Sequence, residues 1–158
     1  MTAAREPESD FDRVALGAAT GDAEMIARLL AMIGPMLVRY CRARLGRRGD
    51  SYRDADDVAQ EVSYAVLASV AAYTGGPFLR LMHEIAAKIV DELEPAPSAG
   101  GSELSDLLPK LPALDRDIVV LRVATGLSTG DTATVLGLSL AEMRMAQHRA
   151  LAHLRSLL

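Results

Sequence analysis

Residues 94–105 (EPAPSAGGSELS) are rich in Pro, Gly and Ser, and they interrupt a chain whose apolar residues otherwise recur at helical spacing. Proline removes backbone donors and glycine loosens the chain, so this stretch predicts a flexible linker and a domain boundary. The chain then divides into a disordered acidic tail (1–10), a first helical domain (11–93), the linker (94–105) and a second helical domain (106–158).

Half of the 158 residues are hydrophobic, but there are only two Phe, four Tyr and no Trp. Burial must come from Leu, Val, Ile, Met and Ala, which suits helix packed on helix. Strict apolar–polar alternation is missing, so the fold class expected is all-α: two small helical domains, the second a helix-turn-helix.

A helix is predicted from near Phe11. Asp22 caps a second, with apolar residues from Ile26 to Cys41, and Gly34-Pro35 inside it predicts a kink or short break. Gly46 to Ser51 is a basic loop. A third helix runs from Asp54 to Ala72, with Val58, Val62, Ala65, Val66 and Ser69 inward. A fourth runs from Phe78 to about Leu93, with Leu81, Ile85, Ile89 and Val90 inward. Beyond the linker, Asp115 is expected to cap a helix over 116–125, followed by helices over 129–136 and 140–157.

The net charge of −4 argues against a basic coat that binds any nucleic acid, but leaves room for a local basic patch. Cys41 is the only cysteine, so an intramolecular disulfide is impossible. The N-terminus does not read as a signal peptide, and no apolar run approaches the ~20 residues that span a bilayer. A cytoplasmic protein without membrane insertion is expected. No metal or cofactor is expected either. His83, His148 and His153 lack ligand spacing, and Gly100-Gly101 is no phosphate-cradling loop. Asp56, Asp57 and Glu61 suit a docking face better than a magnesium site, and Cys41 lies in an apolar stripe. An enzyme is therefore not expected.

The strongest functional signal is Thr129 to Arg149. Two helical segments meet at Gly137, where the chain must turn sharply. Ala133 is small at the crossing, Leu138 and Met143 can fill the angle, and Ser139 can cap the second helix. Arg144, His148 and Arg149 share one side of that helix, while Ala150, Leu151 and Leu154 face the core. This is a helix-turn-helix pattern suited to phosphate and base-edge contacts in a major groove; a structural hairpin with a solvated charged face is the alternative.

The segments Leu111-Pro112-Ala113-Leu114-Asp115-Arg116, Val120-Leu121-Arg122, Gly126-Leu127-Ser128, Leu136-Gly137-Leu138-Ser139 and Gln147-His148-Arg149-Ala150-Leu151 resemble region 4 of the sigma-70 family. Asp56-Asp57-Val58-Ala59-Gln60-Glu61-Val62, Tyr40-Cys41-Arg42-Ala43-Arg44-Leu45 and Phe78 with Ile85-Ala86-Ala87 resemble its region 2. The likeness is greatest to the small group-4, extracytoplasmic-function sigma factors. It implies a factor that binds core RNA polymerase and directs promoter-specific initiation. Asp54, Asp57, Gln60 and Glu61 would dock on the β′ clamp helices, with the β flap as a further contact. Phe78, Arg80, His83 and Lys88 would engage the −10 element of promoter DNA. Ser128, Thr129, Ser139, Leu140, Arg144, His148 and Arg149 would engage the −35 element. An anti-sigma factor is a partner the resemblance also implies.

Three departures stand out. The segment after Phe78 is poor in aromatics and carries acids at Glu84, Glu92 and Glu94, where single-strand binding favours stacking and positive charge. The linker is short. Glu142 lies near the start of the recognition helix, where it could meet a cytosine amino group, weaken phosphate contact or simply favour the helix N-terminus. A second reading therefore stands beside the first: a degenerate sigma-like module working mainly through protein–protein contacts, with weak promoter reading.

Overall fold

Ser9 opens the first helix, α1 (Asp10–Ala19), by accepting the Asp12 N–H on its hydroxyl at 3.2 Å. The computed structural model describes residues 9–93 and 103–158. The remainder of the expected tail and linker, 1–8 and 94–102, lies outside the described residues, which contain helices and no strand.

Asp22 caps α2 (Ala23–Leu45) as expected, accepting from the N–H groups of Glu24 and Met25. The break expected at Gly34-Pro35 does not occur. Pro35 and Ala31 are both exposed, so the Ala31 carbonyl that loses its partner faces water rather than the core, and the helix runs through.

α3 (Arg53–Val70) buries Ala55, Ala59, Val62, Val66 and Val70. The expected stripe is thus rotated: Val62 and Val66 are in the core, whereas Val58, Ala65 and Ser69 are half-buried. Small Ala55 and Ala59 let α3 lie close to α2.

α4 (Phe78–Asp91) is rotated in the same way. It buries Phe78, Leu79, Met82, Ala86 and Val90, leaving Leu81, Ile85 and Ile89 half-covered. Phe78 sets this orientation. Its ring meets Tyr73 edge-on at 5.7 Å, and its backbone N–H donates to Asp12 Oδ1 at 2.8 Å. Asp12 of α1 therefore caps a helix that has no cap of its own.

The second group of helices starts at Glu103, whose N–H donates to the Asp106 carboxylate, so the last residues assigned to the linker already belong to α5 (Leu104–Leu107). A 3-10 turn (Leu108–Lys110) leads to α6 (Ala113–Val119), which widens into a π turn (Val120–Ala124). Asp115 is not the expected cap. It lies inside α6 and is buried, with its carboxylate bonded to His153 and 3.9 Å from Arg149.

Ser128 caps α7 (Thr129–Leu136) through the Asp131 N–H. Gly137 then turns at φ 70°, and the Leu138 N–H returns to the Ala133 carbonyl at 2.9 Å. Ser139 starts α8 (Leu140–Ser156), which places Met143, Ala146 and Ala150 in the core.

The two groups pack on each other. The Arg80 guanidinium donates to the Thr134 carbonyl at 2.6 and 3.2 Å, near the C-terminal end of α7. Arg39 donates to the Thr125 carbonyl, and Arg47 pairs with Glu103 at 2.7 Å.

Candidate nucleic-acid and polymerase interfaces

Two exposed helical faces stand out. On α3, Asp54, Asp57, Gln60 and Glu61 all point to solvent, and Tyr64 beside them is 63% exposed. Gln60 donates to the Tyr64 hydroxyl at 3.1 Å, and Asp54 lies 3.3 Å from Arg48. Asp57 and Glu61 make no ion pair among the described residues. The neighbouring Asp56 has a different task. Arg42 grips both of its oxygens at 2.8 Å while lying over the Tyr52 ring, and this pairing holds the Asp56 carboxyl below the usual carboxylate range. The adjacent acids thus divide: Asp56 ties α3 to α2, and Asp57 faces outward.

The second face is α8. Leu140, Ala141, Arg144, Met145, His148 and Arg149 are exposed on the side opposite Met143, Ala146 and Ala150. Glu142 folds back, as the N-terminus alternative anticipated. It accepts the Ser139 N–H at 3.2 Å while its own N–H donates to the Ser139 hydroxyl. That bonding lowers its carboxyl below the ordinary range. Ser128 and Ser139 have acceptor oxygens occupied as caps, yet each hydroxyl proton remains to meet a phosphate at a helix N-terminus. Thr129 is half-buried in the first turn of α7. Arg149 leans toward buried Asp115, so Arg144 carries the less encumbered positive charge.

The four residues expected at the −10 element are not brought together. Phe78 is fully buried and has no ring face for a base. Arg80 is held by α7. His83 sits in the contact between the two helical groups, edge-on to Tyr40 at 5.9 Å, with its Nε2 buried and unpartnered among the described residues. Only Lys88 is exposed. Sequence periodicity could not reveal this, because α4 has two apolar edges and the second group of helices covers one of them. What the sequence reading missed is a hollow of about 450 Å³ beside the α3–α4 turn, lined by Tyr73, Thr74, Gly75, Arg80 and Glu84 among others. The turn signal Thr74-Gly75-Gly76-Pro77 located the loop but not the space.

Around His83, burial dominates. It pushes the imidazole below its ordinary value and raises the Asp117 carboxyl, with Arg44 and Asp91 close by. Burial also pushes the Cys41 thiol up to about 12, so it packs as an apolar group and is not activated as a nucleophile. Among the described residues no His, Cys, Asp and Glu cluster could hold a metal, and no helix is long and apolar enough to cross a membrane.

Helices only among the described residues, with a capped helix-turn-helix unit in the second half and an exposed acidic helix face in the first, are the build of a sigma-type transcription factor. The family model for sigma-70, region 4 matches residues 102–154. The ECF RNA polymerase sigma factor SigD of Mycobacterium tuberculosis is 37% identical over 174 residues, covering 92% of this chain and 82% of SigD. The ECF RNA polymerase sigma factor ShbA of Streptomyces griseus is 37% identical over 173 residues, covering 89% of this chain and 91% of ShbA. Among solved structures, CnrH in complex with the cytosolic domain of CnrY superposes with a TM-score of 0.71 at 29% identity, covering 94% of this chain and 97% of CnrH. The chain belongs to the sigma-70 family, and within it to the ECF RNA polymerase sigma factors.

Proposed function

We propose that this sigma factor docks on the β′ clamp helices of core RNA polymerase through Asp57, Gln60 and Glu61. It reads the −35 element as duplex through α8. An exposed acidic and amide face suits a partner helix bearing arginines, where charge-assisted hydrogen bonds set orientation and steer encounter. Exposed Arg144 and His148 are of the kind that meets phosphates and base edges when a recognition helix enters a major groove. The observation that carries the reading is the capped helix–Gly137–helix unit, with its second helix exposed along one side.

The −10 element is assigned to the α3–α4 turn and its hollow rather than to the Phe78 ring. A base turned out of the stack needs a recess beside the strand, and the 74–77 turn adjoins an open hollow. Arg80 and His83 lie in the contact between the helical groups, so these two side chains can serve DNA only once that contact opens, whereas Lys88 is already exposed. The protein performs no covalent chemistry of its own and acts in the cytoplasm, where polymerase is. Binding to a polypeptide like CnrY is a further expectation.

The test is run-off transcription with purified core polymerase on promoters selected from genomic fragments. A promoter-specific transcript that depends on the chain supports the reading. Tight core binding with no specific transcript on any selected fragment overturns it in favour of a module working through protein contacts alone.

A further inference from the structure

The α8 face carries two apolar side chains where solvation alone would favour polar ones. Leu140 is 51% exposed and Met145 is 76% exposed. They lie on opposite edges of the strip that carries Arg144 and His148, about 140° apart around the helix, while the helix's core side is already filled by Met143, Ala146 and Ala150. Neither exposed side chain gains much from folding, since apolar stabilisation scales with area removed from water. The one acid in that turn, Glu142, is bonded back to Ser139 and does not project from the face.

In the major groove, thymine presents an apolar group on its base edge, the C5-methyl, while guanine presents two acceptors matched to arginine. We infer that Leu140 and Met145 read thymine methyls in the −35 duplex, flanking a guanine contacted by Arg144. This rests on the proposed −35 reading and specifies what it selects. Five residues of helix rise about 7.5 Å, and successive base pairs are about 3.4 Å apart. The two side chains therefore contact different base pairs. The positive charge of Arg144 favours DNA over an apolar protein partner as the occupant of this face.

The experiment uses holoenzyme assembled from core polymerase and the full-length chain. A duplex pool randomised across the −35 region is selected for binding, and the winning site is resynthesised with each thymine replaced in turn by deoxyuridine. That change removes only the methyl. Affinity should fall about three- to fivefold at each of two positions, in line with the removal of one buried methyl. Met145→Ala should erase one of these losses and Leu140→Ala the other, with the salt dependence of binding unchanged. If a specific site is selected but no deoxyuridine changes affinity as much as about twofold, methyl reading is wrong while −35 reading stands. If no sequence is enriched, the −35 reading fails and methyl reading falls with it. If Met145→Ala instead weakens core polymerase binding and leaves the deoxyuridine losses intact, the face belongs to a protein contact and the inference is overturned.

Discussion

The Asp12 carboxylate accepts the backbone N–H of Phe78 at 2.8 Å, across 66 residues of chain. Through that bond α1 fixes where α4 begins, and with it the side of α4 that enters the core. Asp12 is largely buried and Phe78 completely so, although the carboxylate borders a hollow that it shares with Ser9, Pro77 and Leu79.

Asp12→Ala should therefore destabilise the first helical group by roughly 1–3 kcal/mol, the usual cost of leaving a buried donor unmade. Asp12→Asn retains an acceptor oxygen and should recover part of the loss. Urea denaturation of the full chain checks this. Equal stability of Asp12→Ala and the parent would show that the Phe78 N–H finds another acceptor.

Capping at Asp22, Ser128 and Ser139 was legible from residue type, because each is a short polar side chain just before a helical segment. The turn at Gly137 was legible for the same local reason. Asp12 and Asp115 were not, since both act through contacts distant in sequence. The α4 stripe was misread because Leu81, Ile85 and Ile89 obey helical spacing as well as Phe78, Met82, Ala86 and Val90 do; only the tertiary partner chooses between them. The exposed α3 acids and the α8 basic side were recoverable from periodicity, whereas the burial of Phe78 and His83 depends on what packs above α4.

Asp57→Arg should reduce core polymerase affinity on the order of tenfold or more, by placing like charge against the arginines expected on the clamp helices. Its thermal stability should match the parent, because Asp57 is exposed and unpaired among the described residues. Asp56→Ala is the structural control: it removes the grip of Arg42 and should affect folding before it affects docking. Unchanged affinity of Asp57→Arg for immobilised core polymerase would remove this face from the interface.

Arg144→Ala should weaken −35 binding and lower the slope of log affinity against log salt by about one, as expected when one phosphate is no longer neutralised. Arg149→Ala should change that slope less, since its guanidinium leans on the Asp115 carboxylate. Titrations of a promoter duplex with holoenzyme at several salt concentrations separate the two. Equal slopes for both variants would mean that the Asp115 carboxylate does not hold Arg149 back.

His83 makes the packing of the two helical groups sensitive to acid. Burial, reinforced by the Arg44 charge, lowers its pKa below the ordinary 6.5, while Asp117, Asp91 and Glu84 oppose that shift. Above 6.5 the imidazole is neutral in folded and unfolded chains alike, and it adds no pH dependence. As pH falls below 6.5 the unfolded chain takes up the proton first, so it binds more protons than the folded chain and stability declines. Asp117 works in the opposite sense. Its raised pKa means that the folded chain holds the extra proton at pH values just above 3.8, and stability there increases as pH falls. His83→Gln should flatten the decline that begins below 6.5. Asp117→Asn should steepen it, because it removes a charge that helps His83 protonate. Thermal melts of the parent and the two variants between pH 7.5 and 5.5 distinguish these contributions, the window being chosen to start about one unit above an ordinary imidazole. A parent chain whose melting temperature is level across that range, and is unaltered by His83→Gln, would place the imidazole in water rather than in the contact between α4 and the second group of helices.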